Sequence, residues 1–341
     1  MSKFKRTAEQ ITKTIAEEEF APVERTAIEW DNIPVLSTRS TNLDLAISGG
    51  RLEEGGIPAC ILAMIHGPSG SGKTSILSEL AGDAQQKGGD THNQDPEARL
   101  DKEYARIYDM ILNKENYSRP GRVEEVFAFI ETWETQKKPK ALFTDSLAAL
   151  TTDLEIETGD SMGMRRAKMF SQGCRKNARI LGDMLWVCSN QERQNKNGGF
   201  TVPGGDAIAF YSSLIIRAKM IDTVKVKKKN EYGVELEKII GIKTECEVRK
   251  STIDDPFRKA IIFIIFGLGI DDVRGNLQYL KEMQKLTTYP CPDGKNYMGL
   301  EQAITHVEEK GMQKELKKQT IAMWNECESL FKTNRERTRI R

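Results

Sequence analysis

The clearest chemistry in this 341-residue chain lies in one short run, Gly67-Pro68-Ser69-Gly70-Ser71-Gly72-Lys73-Thr74, followed by Ser75. The run fits the spacing G-x-x-x-x-G-K-[ST], a loop that cradles phosphates. Gly70 and Gly72 let backbone N–H groups face an anion with no Cβ in the way. A helix that starts at the loop adds the positive end of its dipole. Lys73 can reach the β- and γ-phosphates of a nucleoside triphosphate, and Thr74 can offer its hydroxyl to Mg²⁺. A glycine-rich turn that merely ends in Gly-Lys-Thr is the bland alternative. It does not account for the apolar strand pattern Ala59–Ile65 that enters the loop or the helical pattern Thr74–Gln86 that leaves it.

A triphosphate site needs a second group for the metal. Asp145 follows the short apolar strand Ala141–Thr144. It reads as a metal carboxylate or as a helix N-cap, and the phosphate loop upstream favours the metal. Hydrolysis also needs a group that orients or deprotonates water. Glu97 stands between the two motifs, yet by chemistry alone it is one of many glutamates and equally a surface residue. Asn190-Gln191 ends the strand pattern Leu185–Ser189. Ligands bind at the carboxyl ends of strands in open α/β sheets, so these amides could sense a phosphate; ordinary turn chemistry explains them as well.

Those side chains need a scaffold. From about Ile33 onward, strand and helix patterns alternate. Val123–Gln136 and Arg165–Leu181 read as helices; the regions near 237–249 and 260–266 read as strands. Alternation of this kind predicts an α/β fold with a largely parallel central sheet. Residues 3–20 predict an amphipathic helix, with Phe4, Ala8, Ile11 and Ile15 on one face, which needs a surface to cover it. Its own core and a neighbouring subunit are equal candidates. After Gly269 the chain turns helical and highly charged, interrupted by the turn Pro290-Cys-Pro-Asp-Gly294. A small C-terminal domain is expected there.

Composition narrows the class. Lys+Arg is 51 and Asp+Glu is 50, so any nucleic-acid binding must come from local loops rather than from overall charge. No apolar stretch reaches the roughly 18 residues of a membrane span. The start is polar, and a cytoplasmic location is expected. Six scattered cysteines and three isolated histidines argue against a disulfide framework, a zinc site or a histidine triad.

Several segments, in consistent order over about 33–280, resemble the bacterial and phage RecA recombinase family. They are Ser37–Ala46 leading into Gly67–Thr74, Asp95–Ala105, Thr144–Leu150, Glu157–Gly163, Asn190-Gln191, the glycine-rich stretch 198–205, Ala209–Tyr211, and Asp255–Ile270. The resemblance implies residues 1–33 as an N-terminal oligomerisation helix and linker. It implies 34–270 as an ATPase core with DNA-binding loops near 155–164 and 192–205, and 271–341 as a small C-terminal domain, α/β or helical.

Roles follow from the same resemblance. Glu97 would activate water, Asp101 and Tyr104 would line the adenine pocket, and Gln191 would report the γ-phosphate to the DNA loops. Lys250 would reach a neighbouring subunit's nucleotide, and Phe210 would link that interface to the second loop. Arg175, Arg193, Gly204 and Gly205 would contact DNA. ATP and Mg²⁺ would be the cofactors; single- and double-stranded DNA and a helical homo-oligomer would be the partners. The chain departs from the family at Thr252, where a second interface lysine is usual, at Ala209 and Asp206, and in the polar run Asp90–Gln94. Two other functions use the same core: a hexameric helicase, and a weakly hydrolysing structural or mediator filament.

Overall fold

The computed structural model describes residues 33–152, 164–194, 200–201 and 206–332. The expected N-terminal helix, the loop near 155–164 apart from Met164, Gly204, Gly205 and the basic tail lie outside them. The chain divides into two units, Met1–Ile33 and Pro34–Arg341, and every described strand and helix belongs to the second.

Its strands are β1 (Val35–Leu36), β2 (Ile57–Pro58), β3 (Leu62–Gly67), β4 (Asp90–Gln94), β5 (Tyr117–Ser118), β6 (Lys140–Thr144), β7 (Leu185–Gln191), β8 (Arg193–Gln194), β9 (Phe200–Thr201), β10 (Leu214–Lys229), β11 (Glu235–Ser251), β12 (Lys259–Ile265), β13 (Gly269–Ile270), β14 (Tyr289–Pro290) and β15 (Asn296–Tyr297). Its helices are α1 (Thr41–Ser48), α2 (Lys73–Gln86), α3 (Lys102–Ile107), α4 (Val123–Thr132), α5 (Met164–Lys176), α6 (Ala178–Gly182), α7 (Asp206–Tyr211), α8 (Asp272–Met283), α9 (Leu300–Glu309) and α10 (Gln313–Ser329).

Nine strands form one sheet in the order β13-β12-β11-β10-β3-β7-β6-β4-β5. The pairings from β10 through β3, β7, β6 and β4 to β5 are parallel. The sheet is therefore α/β and mostly parallel, with an antiparallel wing of β10 to β13. The wing has a local cause. Asn230 accepts from Tyr232 N and Val234 N, and Gly233 takes φ +79°. That tight turn joins β10 directly to β11, and a hairpin must be antiparallel.

The polar run Asp90–Gln94, with no apolar pattern to mark it, is strand β4 and is largely buried. Three of its side chains are paired, while the buried Asn93 Nδ2 has no partner among the described residues. Thr91 Oγ1 accepts from Gln85 Nε2 at 2.8 Å, His92 Nε2 meets Ser118 Oγ at 2.8 Å, and Gln94 Oε1 accepts from Thr144 Oγ1 at 3.0 Å. His92 stacks on Phe129 at 4.0 Å, and burial pushes its pKa down to about 4. Paired in this way, Thr91, His92 and Gln94 cost little to bury.

Two expected helices are shorter than their patterns. The one starting at Val123 ends at Thr132. The other breaks at Asn177, whose Nδ2 donates to Gly173 O and to Glu131 Oε1. On one side of the sheet, Trp186, Phe127, Phe170, Val126 and Leu142 form a hydrophobic core around α4 and α5. A separate cluster, with Leu277, Leu280, Ile304, Val307 and Leu316, holds α8, α9 and α10 together. Asp272 accepts from Thr41 N and Oγ1, which ties α8 to α1. Arg258 lies over the Trp324 ring and pairs with Glu328, which ties β12 to α10.

Candidate active site

Strand β3 delivers the chain into the phosphate loop, and helix α2 begins at Lys73. The loop is shaped by backbone that only glycine tolerates well. Gly70 and Gly72 have φ +74° and +86°, and a Cβ on Gly67 would sit 2.0 Å from the Ala218 carbonyl oxygen. Lys73 Nζ donates to Gly67 O at 3.1 Å and Pro68 O at 2.8 Å, curling over the loop. Burial lowers its pKa, against the nearby carboxylates of Asp145 and Glu97. Ser71 Oγ is buried with no partner among the described residues, as expected of a hydroxyl in a cradle shaped for an anion.

Asp145 stands at the end of β6, one strand beyond β7 from β3. Thr74 Oγ1 donates to its Oδ2 at 2.5 Å, and Ser189 Oγ donates to its Oδ1. Burial pushes the carboxyl's pKa up, with Glu97 adding repulsion. A hydroxyl and a buried carboxylate converging beside a phosphate loop are hard oxygen donors of the kind Mg²⁺ takes. The residues present thus fit that ion.

Glu97 is not a surface residue. Its Oε1 accepts from Ser146 Oγ at 2.7 Å and Gln191 Nε2 at 3.3 Å, while Oε2 pairs with Arg99 Nη1 at 2.8 Å. Gln191 ends β7 directly opposite Gly67. The prospective base, the prospective sensor and the phosphate loop therefore face one another across a cleft of about 550 Å³.

Tyr104 lines this cleft, and its hydroxyl bonds with Ser75 Oγ and Tyr108 Oη. Asp101 caps α3 by accepting from Tyr104 N at 2.7 Å. The far wall is formed by Ile242, Ile264 and the exposed ring of Phe266, which offers a planar apolar face to a base. Sequence reasoning missed this wall, along with Arg99 and Ser146. An exposed aromatic beside two glycines, Gly267 and Gly269, was the available signal.

The remaining expected residues lie elsewhere. Lys250 Nζ donates to Ala209 O and Phe210 O at the end of α7, and Phe210 is 75 % exposed. Arg175 is on α5 and exposed. Arg193 begins β8, which pairs with β9 in a two-stranded ribbon just past Gln191. Among the described residues, no helix is long and apolar enough to cross a membrane.

A phosphate loop at the carboxyl edge of a mostly parallel sheet, with a strand-end carboxylate and a glutamate facing it, defines a nucleoside-triphosphate-binding α/β protein. The family model for the RecA N-terminal domain matches residues 3–271. The DNA repair protein recA homolog 3, mitochondrial, of Arabidopsis thaliana is 31% identical over 291 residues, covering 81% of this chain and 64% of that protein. Protein RecA of Symbiobacterium thermophilum is 31% identical over 247 residues, covering 70% of this chain and 67% of that protein. Protein RecA of Rhizobium leguminosarum bv. trifolii is 32% identical over 246 residues, covering 70% and 64%. The chain belongs to the RecA family, and it spans about two thirds of the length of these curated relatives.

Proposed function

We propose that this chain is a DNA-dependent ATPase of homologous recombination and repair. In this reading it polymerises on single-stranded DNA as a helical filament, pairs that strand with homologous duplex and exchanges strands. One observation carries the reading: Gln191 donates to Glu97 at 3.3 Å and immediately precedes the segment 192–205, which resembles the second DNA loop and contains Arg193. A single amide thus stands between the prospective water-activating group and the prospective DNA contact.

The chemistry then divides among named groups. Gly70, Gly72 and Lys73 bind the phosphates. Thr74 and Asp145 would hold Mg²⁺, which when bound would supply charge neutralisation for the phosphates. Glu97 takes a proton from water, and Ser146, Gln191 and Arg99 fix its carboxylate until then. A γ-phosphate competes for the Gln191 amide, and the competition moves the backbone at the start of the DNA loop. Arg175, Arg193, Gly204 and Gly205 meet DNA phosphates; Lys250 and Phe210 serve the subunit boundary.

The test is ATP turnover with and without single-stranded DNA, for the parent and for Lys73→Ala, with electron microscopy of the assemblies. DNA-stimulated turnover that vanishes in the variant, on open filaments, supports the proposal. Closed rings with unwinding activity would favour a helicase. Negligible turnover on DNA-bound filaments would favour a structural or mediator filament, a reading that Thr252 and Ala209 motivate.

A further inference from the structure

The ends of β3, β7 and β10 carry a second set of charges that the nucleotide cleft does not use. Glu192, immediately after Gln191, has a side chain only 2 % exposed. Its carboxylate meets Arg217 Nε at 2.7 Å and Nη2 at 3.0 Å, and lies 3.0 Å from His66 Nδ1. His66 sits on β3 directly before Gly67, the first residue of the phosphate loop, and Arg217 is its register partner on β10. Glu247 on β11 lies opposite Arg217 and pairs with Arg249 at 3.0 Å. The backbone closes the same joint, since Glu192 N donates to Gly67 O at 3.1 Å, the oxygen that also receives Lys73.

A buried carboxylate is costly unless cations and donors surround it. Here Arg217 on β10 supplies both in a bidentate contact, so Glu192 has one well-defined place. That place lies between Gln191 on the nucleotide side and Arg193 on the DNA-loop side. We infer that Glu192, held by Arg217 and by its own backbone bond to Gly67, is a positioning residue: a fixed pivot that pins the end of β7 to the entrance of the phosphate loop, so that displacement of the Gln191 amide is transmitted into the loop that follows. The bidentate hold by Arg217 suits this role, because it restricts rotation of the carboxylate as well as its distance. The inference rests on the recombinase reading and adds to it the element that couples the two ligands.

The experiment compares the parent with Glu192→Gln and with the double variant Glu192→Leu/Arg217→Leu. Melting temperature, DNA-free kcat and KM for ATP, and the ratio of DNA-stimulated to DNA-free turnover are measured for each. Glu192→Gln replaces the bidentate ion pair with a neutral amide contact and is expected to melt lower. The double variant removes both charges and is expected to recover melting. Both are expected to keep the DNA-free parameters while the stimulation ratio falls about tenfold, an ordinary coupling strength between two sites. A double variant with recovered melting and the parent's full stimulation ratio would overturn the inference, because the ion cluster would then serve stability alone. A parent that DNA does not stimulate would overturn the recombinase reading and this one with it, and is recognised from the parent before any variant is made.

Discussion

Thr74 and Asp145 are 71 residues apart in sequence, yet the threonine hydroxyl donates to the aspartate Oδ2 at 2.5 Å. Strand order explains the meeting. Strand β7 lies between β3 and β6, so the chain leaving β3 and the chain leaving β6 emerge on the same edge one strand apart. Ser189, near the end of β7, completes the contact from between them.

That relationship predicts the response to losing the charge. Asp145→Asn keeps shape but removes the ionised oxygen, and turnover should fall on the order of 10²–10³-fold, the scale for deleting one preorganised electrostatic group. Removing Mg²⁺ by chelation should abolish turnover of the parent. Because burial already disfavours the Asp145 charge, the variant should melt no lower than the parent. Steady-state rates across a Mg²⁺ titration, with melting curves, check both halves.

Glu97 is held by Ser146, Gln191 and Arg99, but none of these takes a proton from water. Glu97→Gln should therefore bind ATP with nearly the parent's affinity while hydrolysis drops roughly 10²–10⁴-fold, the usual contribution of a positioned general base. Equilibrium nucleotide binding and single-turnover hydrolysis separate the two effects. Parallel losses in both would assign Glu97 to binding instead.

Gly72 has φ +86°, and a Cβ there would lie 2.2 Å from Ile264 Cδ1. Gly72→Ala incurs the left-handed backbone cost and displaces a side chain of the cleft wall, together roughly 1–3 kcal/mol. Lower melting with weaker ATP binding is expected. Gly88 also has positive φ, but nothing lies within 4 Å of a Cβ there. Gly88→Ala should therefore cost stability alone and leave ATP binding unchanged.

Glu79 on α2 accepts from Ile270 N at 2.9 Å, and burial raises its pKa from 4.5 to about 7. The folded state thus holds this proton more tightly than the unfolded one, so stability falls as pH rises from about 4.5 to about 7 and stays low above it. The penalty above pH 7 is at most about 3 kcal/mol from a shift of this size. Glu79→Gln should raise the melting temperature at pH 8, with the gain shrinking towards pH 4.5. A gain that is constant across this range would assign the effect to packing.

The phosphate loop could be read directly because its function depends on local backbone. Gly70, Gly72, Lys73 and Thr74 are consecutive or nearly so, and strand-loop-helix order is set by short-range pattern. Asp145 and Gln191 were legible for a related reason: each ends an apolar strand, and strand ends gather at one edge of a parallel sheet. Strand β4 was not legible, because Thr91, His92, Asn93 and Gln94 show no apolar pattern. Their burial depends on partners as distant as Gln85, Ser118 and Thr144. The break at Asn177 is similar, since its second partner, Glu131, lies on another helix.

By itself, then, the sequence determined the α/β class, the strand-loop-helix order around Gly67–Thr74 and the carboxylates available near it, because residue type and spacing along one segment suffice for these. Only the tertiary structure decided which of many glutamates faces the loop, that Ile242, Ile264 and Phe266 wall the cleft, and that Glu192 is enclosed by His66 and Arg217. Charges and apolar groups on separate strands act on one another through distance in space, and that distance is fixed by strand order and register.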